Sequence, residues 1–424
     1  MTRLLLPVGA LMLGIALMLV GNGLFSTFIA LRMTMEGFAT SLIGLVVAGY
    51  SVGFLLGCLV GGRLIRRIGH IRAFAVLGAL TCCLALAYPF AVDPYAWILL
   101  RTANGYCAAG MFMIAESWLN ARTPSKLRGR VLAVYTISNK LAFGGGQLLL
   151  GLADLAGPVF FMIAAFIYSL SLVPVAATTQ TAPVMTLAER VGIRRLYELS
   201  PLGVVGCILT GLIASAISGM APVFAAGIGL STIEVAHFMA IMVVGGLGLQ
   251  WPIGWLTDRY DRRRVLLVVV LVMAAMSAVL AVVWQWSLTA LYVLFALHGG
   301  LLGALYPICV THTNDFVERR QVVSVSGSLL LLWAAGAATG PAVASQIMAL
   351  VGPTGLFWFV TLLSLGLAGF IAWRMTKRAG KPTDEQGRFA PQPAATPVAT
   401  AMNAEGPHEE ETPTAGAEPA PAST

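Results

Sequence analysis

Twelve apolar runs, each long enough to cross a bilayer, divide this chain of 424 residues, and its positive charges avoid every second loop between them. A membrane-spanning helix needs about 20 mostly apolar residues. The runs fall at about 5–31, 40–62, 72–92, 95–119, 130–152, 157–178, 201–226, 231–256, 264–283, 287–312, 322–350 and 354–375. Nearly all of the 26 Lys and Arg residues sit at the N-terminus, at the even-numbered loops or in the C-terminal tail. The exceptions are Arg32, in the first loop, and Arg101 and Lys140, inside spans. Short loops rich in Lys and Arg stay in the cytoplasm. The pattern therefore predicts an all-α polytopic protein of the cell inner (plasma) membrane, with twelve transmembrane helices and both termini cytoplasmic.

Composition excludes an ordinary soluble domain, with 58% hydrophobic and 10% charged residues. The net charge of +8 follows from the loop bias, so it gives no reason to expect a nucleic-acid partner. Cys58, Cys82, Cys83, Cys107, Cys207 and Cys309 all lie in apolar runs without metal-ligand spacing, and they read as small buried residues. No metal site or cofactor is expected. The first run is too long for a secretory signal and reads as a first membrane helix. The chain has no Walker loop, no Gly-x-Ser-x-Gly elbow and no His-Glu-x-x-His, so neither an enzyme nor an ATP-driven pump is indicated.

An internal repeat divides the spans into two sets of six. Gly62-Arg63-Leu64-Ile65-Arg66-Arg67-Ile68-Gly69 follows span 2, and Gly254-Trp255-Leu256-Thr257-Asp258-Arg259-Tyr260-Asp261 follows span 8, at an offset of 192. Gly146-Gln147 in span 5 matches Gly340-Pro341 in span 11, at an offset of 194. Two parallel halves around a central site form a transporter architecture. The expected organisation is a six-helix bundle at 1–178, a cytoplasmic amphipathic linker at 179–200, a second bundle at 201–376 and a disordered cytoplasmic tail at 377–424. The tail is a Pro-, Ala-, Thr- and Glu-rich segment too polar to bury a core.

At these residues the chain resembles the major facilitator superfamily, whose loop signature is Gly-x-Leu-x-Asp-Arg-x-Gly-Arg-Arg. Gly254, Leu256, Asp258, Arg259, Arg262 and Arg263 match it, with Asp261 in place of Gly. The first copy matches at Gly62, Leu64, Arg67, Gly69 and Arg72, with Arg66 in place of Asp. Arg101 to Gly105 in span 4 and Gly336 to Pro341 in span 11 are similar to two further elements. Arg101, Glu116, Arg128-Gly129-Arg130, Gln147, Gln250 to Gly254 and Leu305-Tyr306-Pro307 together resemble the bacterial YcaD-like branch. The resemblance implies two pseudo-symmetric bundles, alternating access and a cytoplasmic gate. It places Asp258 at the start of span 5, near Arg128 or Arg130, where a helix dipole favours an anion. Arg66 cannot do the same, so Arg66 or Arg67 is expected to face Asp315 or Glu318 with reversed polarity.

Charge inside a bilayer is costly, roughly 2.5–3.5 kcal/mol per group on insertion scales. Arg101 and Lys140 should therefore face the interior or a wet cavity. Arg101 serves either as a structural hydrogen-bond donor or in solute or proton coupling. Glu116 is the candidate protonatable carboxylate, level with about Tyr135 across a hairpin, and a pair with a basic residue of the next loop is the alternative. Asn22 interrupts span 1 and suits a cavity wall or a helix–helix bond. His298, in span 10, is either a packed residue or part of the pathway. Ser231-x-x-Glu234 fits a capping box. Gly49, Gly53, Gly57 and Gly61 offer a face for close helix approach, and Pro252 can kink its helix. The expected function is secondary transport of a small solute by a monomer in the lipid bilayer, coupled to protons. Efflux of amphipathic compounds and a non-transporting membrane sensor or scaffold are the alternatives.

Overall fold

The structure of the chain, a computed structural model, describes residues 2–124, 127–177, 191–377, 380–382, 386–387, 389 and 396–399. Its first half contains α1 (Thr2–Met35), α2 (Thr40–Ile68), α3 (His70–Ala87), α4 (Pro94–Arg122), α5 (Arg128–Leu148) and α6 (Val159–Ala176). A short helix, α7 (Ile193–Leu199), precedes the second half. That half contains α8 (Pro201–Gly227), α9 (Thr232–Gly248), α10 (Gln250–Arg259), α11 (Arg262–Val283), α12 (Leu288–Asn314), α13 (Val322–Val351) and α14 (Gly355–Lys377). No strand occurs among the described residues.

Among the described residues, eleven helical stretches are long and apolar enough to cross a membrane, with α9 and α10 counted together. The remaining expected span is α5, which packs against α1 and α9 but carries Asn139, Lys140, Gln147 and a glycine run that lower its hydropathy. Span 8 is broken at Leu249. Pro252 lacks the N–H that would bond back to the Gly248 carbonyl, and its ring crowds that carbonyl. Of the linker, residues 191–200 are described. Leu196 of α7 is buried while Arg194 and Arg195 face out, and the Val191 N–H donates to Ser328 Oγ at 2.9 Å.

The helices begin where the sequence signals it. Asp93 accepts from the Ala96 N–H at 2.9 Å ahead of Pro94, and Ser231 with Glu234 forms the expected capping box. Gly37 and Gly229, one after α1 and the other after α8, both take positive φ at the repeat offset of 192. Arg32, expected in the first loop, lies in the last turn of α1 and bonds Glu36 at 2.6 Å and the Leu155 carbonyl at 2.8 Å, which ties α1 to the segment before α6.

The repeat extends to the atoms that set helix spacing. In the first half, a Cβ on Gly53 would collide with the Thr102 carbonyl, and one on Gly105 with the Tyr50 carbonyl. In the second half, Gly245 meets the Ala296 carbonyl and Gly299 the Met242 carbonyl in the same way. Gly146 against the Val20 carbonyl and Gly340 against the Leu212 carbonyl form another matched pair. Small residues allow this backbone approach inside a membrane, where dispersion replaces the hydrophobic effect as the drive for association.

The halves meet on the face opposite the basic loops. There, α2 packs on α13, with Ser345 Oγ donating to the Ser41 carbonyl at 3.4 Å. A Cβ on Gly44 would strike Ser345 and Pro341, and one on Gly144 of α5 would lie 3.3 Å from Val243 of α9.

Candidate functional site

Between the halves lies a cavity of about 500 Å³. From the first half it is lined by Asn22 and Ser26 of α1, Tyr50 of α2, Arg101 of α4, and Asn139 and Lys140 of α5. From the second half come Thr210, Ser215 and Ser218 of α8, Gln250 at the start of α10, Tyr306 of α12 and Trp333 of α13. Phe54, Phe112, Phe143 and Met242 add apolar wall. Among the described residues, no Asp or Glu lines it.

Arg101 is 3% exposed. Its Nη2 donates to Ser26 Oγ at 3.3 Å, and its Nε has no hydrogen-bond partner. The guanidinium lies over the Tyr50 ring at 4.8 Å and the Phe25 ring at 5.7 Å, contacts that offset part of the cost of burial. A guanidinium offers five N–H donors, so most of its capacity is unspent. Lys140 Nζ donates to the Gly246 carbonyl at 3.3 Å and to Gln250 Oε1 at 3.1 Å, both in the second half. Among the described residues, no carboxylate lies within ion-pair distance of either cation. Asn22 Oδ1 accepts from the Tyr168 hydroxyl at 2.9 Å, which fixes the amide at the cavity edge.

Two of the expected interior groups stand elsewhere. His298 is fully buried away from the cavity wall, with its Nε2 3.0 Å from Ser277 Oγ and its ring between Phe295 and Phe357. It is a packed histidine at the α11–α12 contact. Glu116 is also fully buried off the cavity wall. Its Oε1 accepts from the Tyr135 hydroxyl at 3.3 Å, and Thr396 of the tail donates its hydroxyl to Oε2. Glu116 and Tyr135 do lie opposite each other across the α4–α5 hairpin, but Lys140 points to the second half instead.

The basic face is arranged differently from the sequence expectation. Asp258 Oδ1 accepts from the Phe389 N–H at 2.6 Å and lies 3.9 Å from Arg262, with no bond to Arg128 or Arg130. Arg128 Nε reaches the Thr123 carbonyl at 3.3 Å, and Arg130 is exposed. Asp315 pairs with buried Arg262 and accepts from the Gly387 N–H at 3.1 Å, while Glu318 pairs with Arg320 at 2.8 Å. Arg66 and Arg67 are exposed, so the expected reversed pairing is absent here. Arg259 stacks on Trp255 at 4.1 Å, and the Phe389 ring occupies the space beside Gly254. Gly62 is buried in α2, and Gly69 makes the α2–α3 turn at φ +84°.

Parts of the tail expected to be disordered are therefore placed against the bundle. Thr396, Val398 and Ala399 are buried, and the Thr396 hydroxyl gives Glu116 Oε2 a partner to match the Tyr135 hydroxyl on Oε1. The tail beyond residue 399 lies outside the described residues. Sequence reasoning did not single out Tyr50, Ser26 and Gln250 as wall residues. Only Gln250 carried a signal, as a polar residue beside the proline that breaks span 8.

A family model described as Major Facilitator Superfamily matches residues 11–283 and 203–405. An uncharacterized MFS-type transporter of Enterobacter sp. strain 638 is 29% identical over 355 residues, covering 81% of this chain and 89% of that protein. The uncharacterized MFS-type transporter YcaD of Escherichia coli O17:K52:H18 is 28% identical over 364 residues, covering 84% and 93%. Among solved structures, the nucleoside transporter NupG superposes with a TM-score of 0.71 at 12% identity, covering 89% of this chain and 100% of that one.

Proposed function

Because the chain belongs to the Major Facilitator Superfamily, we propose that it is a secondary transporter that moves a small solute across the cell inner membrane by alternating access. The observation that carries this reading is the cavity between two glycine-locked halves, with both span cations on its wall. Contacts within each half are backbone against backbone. Contacts between the halves on the far face, α2 on α13 and α5 on α9, are close as well, with Gly44 against Ser345 and the Pro341 carbonyl and Gly144 against Val243. Rocking one half against the other would break the second set and leave the first intact.

The basic loops set the cytoplasmic side. On that assignment the structure is closed toward the outside; the gate residues Asp258, Arg259 and Glu318 are exposed on the cytoplasmic side and the Asp315 side chain is buried against Arg262, without an ion pair between the halves among the described residues. One chain supplies both halves and the whole cavity, which supports a monomer as the working unit.

Glu116 is the proton-coupling group of this reading. It is a buried carboxylate held by two hydroxyls, on the same hairpin that carries Arg101 and Lys140 to the cavity. A proton gained or lost at Glu116 would be felt along α4 and α5. The aromatic wall of Phe54, Phe112, Phe143 and Trp333 favours amphipathic solutes, so export of such compounds is the second reading.

The test uses purified protein in proteoliposomes under a pH gradient, with lumenal pH followed while anionic metabolites and amphipathic compounds are screened. Solute-dependent proton movement that disappears in Glu116→Gln is the expected result. Solute-dependent proton movement unchanged by the substitution would remove Glu116 from the pathway. An absence of solute-dependent flux across the panel would contradict transport.

A further inference from the structure

We infer that the cavity binds an organic anion, a carboxylate with an apolar body, whose acid group is held by Arg101 and Lys140. The inference rests on the transport reading to the extent that this cavity is the solute site. It begins from a charge imbalance. Among the described residues, two cations reach the cavity wall and no Asp or Glu does. Among the described residues neither cation has a carboxylate partner, and Glu116 is buried off the wall with hydroxyl partners of its own.

Burying a cation without a counter-ion is unfavourable, and the neighbours of these two compensate only in part. Arg101 keeps an unpartnered Nε at 3% exposure, and its one hydrogen bond, to Ser26, is long at 3.3 Å. Lys140 is met only by neutral oxygens of Gly246 and Gln250. A carboxylate entering the cavity would supply both the missing charge and acceptors for the free guanidinium donors, in a planar geometry that Arg recognises well. A cationic solute would meet two like charges and no acid.

The walls specify the remainder of the solute. Tyr50, Phe54, Phe112, Phe143, Met242 and Trp333 present rings and a thioether on most sides. A small inorganic anion would leave this surface wet, whereas an aromatic or aliphatic body would cover it. A volume of about 500 Å³ suits a solute of the size of small metabolites or drugs. Thr210, Ser215 and Ser218 on the second-half wall offer hydroxyls to a neutral polar substituent.

The experiment titrates the full-length protein, purified in a neutral detergent, with a panel of aromatic and aliphatic carboxylates, each paired with its amide and its amine. Binding is read by calorimetry. At least one carboxylate is expected to bind about tenfold more tightly than its amide and more tightly still than its amine. Arg101→Gln is expected to erase the preference of carboxylate over amide, Arg101→Lys to restore part of it, and Lys140→Gln to reduce it. Lys140→Gln carries the test should Arg101→Gln fail to fold. An amine that binds best, a panel without charge discrimination, a panel in which no carboxylate binds, or a preference unchanged in folded Arg101→Gln and Lys140→Gln would each overturn the inference. A carboxylate that binds in the expected pattern but drives no flux counts against transport alone. Flux of an amine that ignores both substitutions overturns the anion assignment and leaves transport standing.

Discussion

The two halves of the molecule are alike in backbone and unlike in charge. Gly53, Gly105 and Gly146 of the first half correspond to Gly245, Gly299 and Gly340 of the second, at offsets of 192 or 194, and each pair meets a carbonyl of the matching neighbour. At the same offset of 194, Arg101 corresponds to Phe295, Lys140 to Ala334 and Glu116 to Val310. Where Arg101 reaches the cavity, Phe295 stacks on Phe238 at 3.8 Å inside an aromatic cluster. The turns on the basic face diverge too. Gly69 makes its turn with a positive φ, while Asp261 in the equivalent place caps α11 through the Arg263 N–H at 2.9 Å. Helix spacing imposes the same demand on both halves, so glycine recurs. On the proposed anion reading a solute needs its charge met once, which accounts for cations in one half alone.

The largest effects should come from breaking the shared feature. Gly53→Leu and Gly245→Leu each force a side chain into a carbonyl that cannot move without shifting a helix, and each should cost about 3 kcal/mol or more. Thermal melting followed by size-exclusion fluorescence should show similar losses for both. A mild effect in one half alone would break the equivalence.

The next effects sharpen the difference. Glu116→Leu leaves the hydroxyls of Tyr135 and Thr396 without their acceptor and should cost about 1–3 kcal/mol. Glu116→Gln keeps an acceptor and should cost less, while Val310→Leu, at the equivalent place, should show none of this polar contrast. Gln250→Ala removes one of the two Lys140 contacts between the halves. It should weaken the closed far face by about 1 kcal/mol, seen as faster labelling of a cysteine placed at Ser41.

The smallest effect is at Asp261. Burial acts to raise its pKa, but hydrogen bonds and charge from Arg263, with a contribution from His312, hold it below the usual carboxylate value. Its contribution is present above the unfolded pKa of about 3.9 and is lost as pH falls through the lower folded value. Asp261→Asn should therefore lower stability slightly near neutral pH and flatten the acid limb of the stability–pH curve, with the difference from wild type disappearing at low pH.

Much of this architecture is legible in the sequence, because bilayer thickness and loop charge constrain every span at once. Arg101, Lys140 and Asn22 were legible as interior groups, since a polar residue in a span needs water or a partner. His298 and Glu116 obey the same rule yet lie off the cavity. Periodicity shows that a helix face is interior, but not whether that interior is a cavity or a packed neighbour. The partners of Asp258 and Asp315 could not be read from spacing, because they depend on how far apart the halves stand on the basic face. Thr396 was hidden for a different reason. A four-residue contact inside a long polar segment has no compositional signature.

The central claim is that rigid halves move against each other. It is tested most directly by electron-resonance distances between spin labels in lipid. One pair, at Ala39 and Leu350, spans the halves on the far face, and the other, at Ala39 and Tyr95, lies within the first half. Exposed Cys83 is replaced to avoid stray labelling. The account predicts two populations for the first pair, one matching this closed face and one longer, with a single distance for the second. A single short distance for the first pair under every pH gradient and with every carboxylate would contradict alternating access.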